Sequence, residues 1–400
     1  MKQTLLFICL VGAATTMWAK GLKPTKQLAD EFIRSEMTRS EQAWALEGAV
    51  RPKWTYTIGL EVGAFVQFQH RWEGCSLTEK EVYDYARTYT DVLISEEGKI
   101  EGYKKENYKL DDINSGKLVM MLYEKTHETR YKTVMDSLFS QLLSQPRTPE
   151  GGYWHKQIYP QQMWLDGLYM AEPFKAKYAR DYVEGNIRWE YYDDIIHQFA
   201  LCYEMTLCPD CHLPHHAWDS AHQQNWCDPS TGRSSHAWGR AIGWYMMALV
   251  DTYEIIYGDN PNHDHSDSLS IIINRIGEEL LKRQDRRNGC WQQVIDETGR
   301  EGNYFEMSAT PMIAYSFLKG YRLGMLPKKY ASSAKKALKG MCRYFVKKDE
   351  QTGRLTLTNI CSVAGLSNDR DGSYEYYLRE PIRENDPKGV GPFILALMEN

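Results

Sequence analysis

Helical periodicity is the strongest constraint on this chain. Apolar residues recur at the 3.6-residue spacing of an α-helix in twelve segments, approximately 24–46, 54–72, 78–93, 111–127, 129–144, 161–180, 187–206, 237–258, 265–284, 306–322, 327–348 and 389–398. The odd-numbered segments tend to be charged and amphipathic. The eleventh carries Lys328, Lys329, Lys335, Lys336, Lys339, Lys347 and Lys348, and so has a broad solvated face. The even-numbered segments are apolar nearly all round, as in Gly59 to Phe68, Leu118 to Tyr123, Ile242 to Val250, Ala309 to Leu318 and Phe393 to Leu397, which requires burial on most sides. Six buried helices alternating with six amphipathic ones predict an all-α fold, an (α/α)6 barrel of six helical hairpins with the buried set as its inner ring. A less regular helical bundle is the alternative. Strand signals are weak and short, as in Arg354-Leu-Thr-Leu-Thr358.

Nothing in the chain marks an internal boundary: there is no Pro/Ser/Gly linker and no shift in composition, so residues 20–400 read as one domain. Residues 1–19 read as a signal peptide. Lys2 is the charged start and Leu5 to Ala14 the apolar run, which at about ten residues is too short to span a bilayer. Small residues follow, with cleavage after Ala14 or Ala19. Export to a periplasm is expected, and no later stretch is apolar enough for a membrane helix. With 48 Lys+Arg against 53 Asp+Glu, and no long run of like charge, the chain lacks the basic stripe of a general nucleic-acid binder. Aromatic residues make up 12% of it, and many sit beside polar residues. That suits a protein packing sugar rings on aromatic planes, and equally a large core.

Cysteines offer one cluster. Cys208-Pro-Asp-Cys211 is followed by His212, His215 and His216, residue types that bind zinc. The cysteine and histidine pairs run straight into each other, however, without the intervening chain that lets both halves wrap one ion. The expectation is therefore a local disulfide or two free thiols, and no metal.

Polar and aromatic residues gather at the N-terminal ends of the even-numbered segments: Trp54 and Tyr56; Asp111 and Asp112; Gln161, Gln162, Trp164 and Asp166; His236, Trp238 and Arg240; Tyr304 and Glu306. In a barrel of alternating hairpins the inner helices all start at one end, so these residues would converge on one mouth. Carboxylates, aromatic rings and an arginine suit a sugar acid, because a guanidinium pairs with a planar carboxylate through two parallel hydrogen bonds. Taken singly, each has a plain structural reading: an ion pair for Arg240, core packing for the tryptophans, a helix cap for Asp111 or Asp112. Asp166 lies inside an apolar run, between Trp164 and Leu168, where a cap does not belong; desolvation there favours an uncharged, proton-donating carboxyl.

Several stretches resemble glycoside hydrolase family 105, the unsaturated rhamnogalacturonyl hydrolases: Gly151-Gly-Tyr-Trp-His155, Gln162-Met-Trp-Leu-Asp-Gly-Leu-Tyr-Met170, His216-Ala-Trp-Asp219, Trp238-Gly-Arg-Ala-Ile-Gly-Trp244, Tyr374-Glu-Tyr-Tyr377 and Gly391-Pro-Phe-Ile-Leu-Ala-Leu397. They span the chain from about residue 50 onward in consistent order. The resemblance implies an (α/α)6 barrel releasing a 4,5-unsaturated uronic acid from the non-reducing end of a pectin fragment. It places Asp166 as the catalytic acid/base and Asp111 as the second active-site carboxylate, with His155, His216, Trp238, Arg240 and Trp244 lining the substrate pocket. Trp164 and Tyr56 join that pocket by their position at inner-helix starts. Hydration of an enol ether needs a proton and a water, so neither metal nor cofactor is expected. The Cys208–His215 loop departs from the family pattern. Competing readings are an inverting glycosidase acting on saturated oligosaccharides, and a non-catalytic periplasmic sugar-binding protein, for which a buried aspartate is a costly feature.

Overall fold

A computed structural model describes residues 16–18, 21–261, 263 and 267–400. The signal peptide expected over residues 1–19 falls outside them, apart from the backbone of 16–18. Among the described residues, twelve helical segments alternate between two concentric layers. The inner layer is α2 (Tyr56–Arg71), α4 (Asp111–Asn114) running through Ser115 into α5 (Gly116–Thr126), α7 (Leu165–Tyr182), α9 (Gly239–Asp259), α11 (Ala309–Arg322) and α14 (Pro387–Glu399). Each packs on the next, and α14 closes the ring between α11 and α2. Outside them lie α1 (Lys26–Arg39), α3 (Glu79–Thr90), α6 (Thr129–Leu143), α8 (Ile187–Thr206), α10 (Asp267–Arg283) and α12 (Lys328–Tyr344). This is the expected (α/α)6 barrel, and one apolar core runs through it from Leu28 to Met398.

Helix starts follow the capping rules. Thr25, Thr55 and Thr78 accept backbone N–H groups at the heads of α1, α2 and α3, and Glu81 completes a capping box at the last. Lys328, Lys329, Lys335, Lys336 and Lys339 of α12 are exposed as their pattern requires.

Element ends differ from the sequence reading where short strands interrupt. The first segment stops at Arg39 rather than 46, because Ser40 turns extended. Segment 327–348 stops at Tyr344, and Val346–Asp349 (β4) pairs with Leu355–Leu357 (β5) on one side and the backbone of Thr16–Trp18 (β1) on the other. Segment 161–180 begins as a strand: Gln162–Trp164 (β2) runs antiparallel to Ala217–Asp219 (β3) before α7 starts. Two-residue strands Ile360–Cys361 (β6) and Ile382–Arg383 (β7) flank the short helix α13 (Tyr374–Arg379). The β2–β3 pair matters most for function, since it lays the head of α7 beside the segment that carries His216.

Candidate active site

Asp166 occupies the first turn of α7. Leu165 N–H donates to the backbone oxygen of His216 at 3.1 Å, so the strand pairing continues one residue past β2 and holds the two side chains together. His216 Nε2 lies 3.3 Å from Asp166 Oδ2. Both atoms are buried and neither has a hydrogen-bond partner of proper geometry. On its other side, His216 Nδ1 is 2.9 Å from Tyr377 Oη. Trp164 and Trp238 pack against the imidazole, which is wholly enclosed. The Asp166 side chain keeps 14% of its surface open.

Asp111 is set differently. Its Oδ2 is 2.9 Å from Lys156 Nζ, and its Oδ1 is 3.5 Å from His155 Nε2. Burial pushes the Asp111 carboxyl up, but Lys156, His155 and Lys109 outweigh it and hold the group well below the usual carboxylate range. Asp111 is therefore ionised. Burial, against the pull of Asp111 and helped by Lys156, lowers His155 to about 4, so its imidazole is neutral at ordinary pH. His155 stacks on Trp164 at 4.8 Å, and Tyr159 stacks on the same indole at 5.2 Å. Gly167 permits this approach: a Cβ there would stand 3.1 Å from His155 Nδ1 and 3.0 Å from Leu110 Cδ1.

The remaining expected residues fall into two groups. Tyr56 joins the site. Its hydroxyl is pushed well above its ordinary value by burial, Asp111 and Asp166, with Arg240 opposing, so it lies in the field of both carboxylates. Its ring meets Trp244 edge-on, and Trp244 stacks on Tyr169 at 4.8 Å. Trp238 stacks on Tyr377, and its Nε1 donates to Gln293 Oε1 at 3.2 Å. Trp54 is turned into the wall, where its Nε1 donates to the Asp112 carbonyl at 2.8 Å.

Arg240 does not take the expected place as an open clamp for a carboxylate. It is 1% exposed. Its Nε donates to Ser308 Oγ at 2.7 Å, and its terminal nitrogens donate to the backbone oxygens of Cys361 and Ser362. Glu306, 3.7 Å from the guanidinium, accepts from the Ser308 and Ala309 N–H groups at the head of α11 and from Cys361 N–H. These two residues tie inner helices to the 361–362 segment, because a fully buried charge must spend its hydrogen bonds on fixed partners.

Two site groups escape the sequence reading. Lys156 is one extra lysine in a turn, with no periodicity to mark it. Tyr377 stands in a quoted motif without an assigned role, and its contact with His216 spans 161 residues.

A model of the family described as Glycosyl Hydrolase Family 88 matches residues 28–400. Among solved structures, a Clostridium acetobutylicum glycoside hydrolase from family 105 is 38% identical, with a TM-score of 0.84 over 93% of this chain and 98% of that one. A 24.9 kDa protein of the picA locus of Rhizobium radiobacter is 36% identical over 239 residues, which is 58% of this chain and 98% of that protein. The unsaturated rhamnogalacturonyl hydrolase YesR of Bacillus subtilis is 26% identical over 222 residues, 54% of this chain and 59% of YesR. With its family match running from the first outer helix to the last residue, and Asp166 facing His216 where the inner helices begin, the chain belongs to glycosyl hydrolase family 88 and is a glycoside hydrolase.

Proposed function

We propose that this hydrolase removes a 4,5-unsaturated uronic acid from the non-reducing end of pectin-derived, rhamnogalacturonan-type oligosaccharides by hydrating the C4=C5 enol ether. The observation that carries the reading is the pair Asp166 Oδ2 and His216 Nε2, 3.3 Å apart, buried and without hydrogen bonds. Two such atoms are able to share one water or pass one proton. In the proposed course, protonated Asp166 gives its proton to C4, and the cation left at C5 is shared with the ring oxygen. Water, oriented by His216, adds at C5 and returns a proton to the Asp166 carboxylate. The C5 hemiketal then opens to a ketone, and the hemiacetal freed at C1 expels the aglycone as an alcohol. Water never attacks the anomeric carbon.

Ionised Asp111 accepts hydrogen bonds from ring hydroxyls. With Arg240 engaged elsewhere, the uronate carboxylate falls to Lys156, whose side chain is 20% exposed beside Asp111. The name and 26% identity of YesR support the rhamnogalacturonan-type substrate. The Lys2 start and the Leu5–Ala14 apolar run support export to a periplasm.

The experiment is to mix the purified protein with lyase-generated unsaturated oligosaccharides and follow the ultraviolet absorbance of the conjugated double bond, which is expected to decline. Asp166→Asn is expected to slow the decline about 10²- to 10⁴-fold with the helical circular dichroism intact. An absorbance that holds steady while saturated oligomers are cleaved would replace this function with ordinary glycosidic hydrolysis.

A further inference from the structure

We propose that Cys208, Cys211 and His215 form a zinc site that fastens the segment leading into His216. The sequence argues against such a site because too little chain separates the cysteines from the histidine. A tight hairpin removes that objection. Leu207 and Pro214 form an antiparallel bridge, Cys208 N–H donates to Leu213 O at 3.0 Å, and His215 N–H donates to Thr206 O at 2.8 Å. His212 takes the left-handed turn position at φ 58°, and its N–H donates to Cys208 O. The chain doubles back, and His215 lands beside the two sulfurs seven residues after Cys208.

The local geometry is that of a ligand set. One atom from each of Cys208, Cys211 and His215 lies within 4.8 Å of the others. Cys211 Sγ and His215 Nε2 are 3.6 Å apart. A tetrahedral ion with bonds of about 2.3 Å to sulfur and about 2.0–2.1 Å to nitrogen has a sulfur–nitrogen edge of about 3.6 Å. His215 Nδ1 is 2.5 Å from the Ser234 carbonyl, which only accepts, so Nδ1 carries the ring proton and Nε2 presents its lone pair. That outer partner is the kind that orients a metal-bound imidazole. The loop itself is braced: Arg283 donates to Cys211 O at 2.9 Å and Arg233 to Leu207 O at 2.6 Å.

Both cysteines are free thiols. Two thiolates and one imidazole favour zinc over harder cations. His212 is exposed and His216 faces Asp166, so neither belongs to the set and the fourth corner is left for water. The site sits one residue behind His216, in the hairpin that leads into β3. Its role is to hold the Thr206–His216 segment firm, and it does not depend on which sugar the enzyme takes.

The test is metal analysis of the full-length protein, purified without a polyhistidine tag or chelator. About one zinc per chain is expected, removable by chelator and absent from the Cys208→Ser/Cys211→Ser double variant and from His215→Ala. Should those variants misfold, cobalt(II) added to the chelator-treated wild-type protein decides alone. Thiolate-to-cobalt charge transfer with intense tetrahedral visible bands supports the site, and a pale spectrum without charge transfer overturns it. A protein free of metal with both thiols titratable, a Cys208–Cys211 disulfide found by mass spectrometry, or zinc retained by the double variant would each overturn it as well.

Discussion

Glu172 shows how strongly a single buried group is tuned by its neighbours. It lies on α7 with 1% of its surface exposed, and its Oε2 has no hydrogen-bond partner. Burial pushes its carboxyl up to about 8, against the pull of Lys175 and with the push of Asp194. Asp194 goes the other way: burial raises it, but Arg147 and Lys175 outweigh that and hold it well below the usual range. For Glu172 the unfolded value is 4.5. Below that pH both states carry the proton and its contribution is constant. Between 4.5 and about 8 the unfolded chain ionises first while the folded state keeps its proton, so stability falls as pH rises. Glu172→Gln is expected to remove that fall and to raise stability at pH 7 by about 1–3 kcal/mol. Denaturant unfolding of both proteins between pH 5 and 8 measures it, and a difference that stays flat with pH would mean that Glu172 is ionised in the fold. The two mouth carboxylates have different neighbours: Asp111 Oδ2 lies 2.9 Å from Lys156 Nζ, and Asp166 Oδ2 lies 3.3 Å from His216 Nε2. Sequence picks out both aspartates, but Lys156 is recognisable only once the chain has folded it against Asp111.

At the scale of elements, the least regular inner helix is the break between α4 and α5. Ser115 Oγ donates to Thr55 O at 2.6 Å, pulling the break onto the head of α2. The approach works because position 59 is glycine. A Cβ there would stand 2.3 Å from Ser115 Oγ and 2.6 Å from Ser115 Cα, and backbone cannot step aside as a side-chain tip can. Gly59→Ala is expected to destabilise the protein by roughly 1–3 kcal/mol, although alanine is the better helix former. Thermal and denaturant unfolding of the variant report it, and an unchanged midpoint would show that α2 and α5 separate freely. Periodicity reads straight through this break, since Ser115 fits a helix and only its partner on α2 shows the distortion. The three-residue strand β2 is missed for a related reason. It is too short to set up an alternation of its own, and its pairing partner lies in β3, about fifty residues on.

For the whole molecule, ring closure is the decisive event. The last helix, α14, packs between α11 and α2 and buries Val390, Phe393, Ile394, Leu395 and Leu397 almost completely. At about 1.5–3 kcal/mol for each such side chain, those five represent about 10 kcal/mol, comparable with the net stability of a typical domain. Removing residues 387–400 is therefore expected to abolish cooperative unfolding and near-ultraviolet circular dichroism. A truncated chain that still unfolds in one sharp transition would show that the barrel does not need its sixth inner helix. Sequence by itself determines the number, order and layer of the twelve helices, because amphipathicity is a local property written within each segment. It also singles out Asp166, a carboxyl inside an apolar run. Tertiary structure alone decides which polar groups remain free to act. Arg240 spends its donors on Ser308 and Cys361, 68 and 121 residues away, while Lys156 is left facing Asp111 and a hairpin closes Cys208 onto His215. Hydrogen-bond satisfaction is a property of neighbours in space, and those neighbours come from chain segments that periodicity treats one at a time.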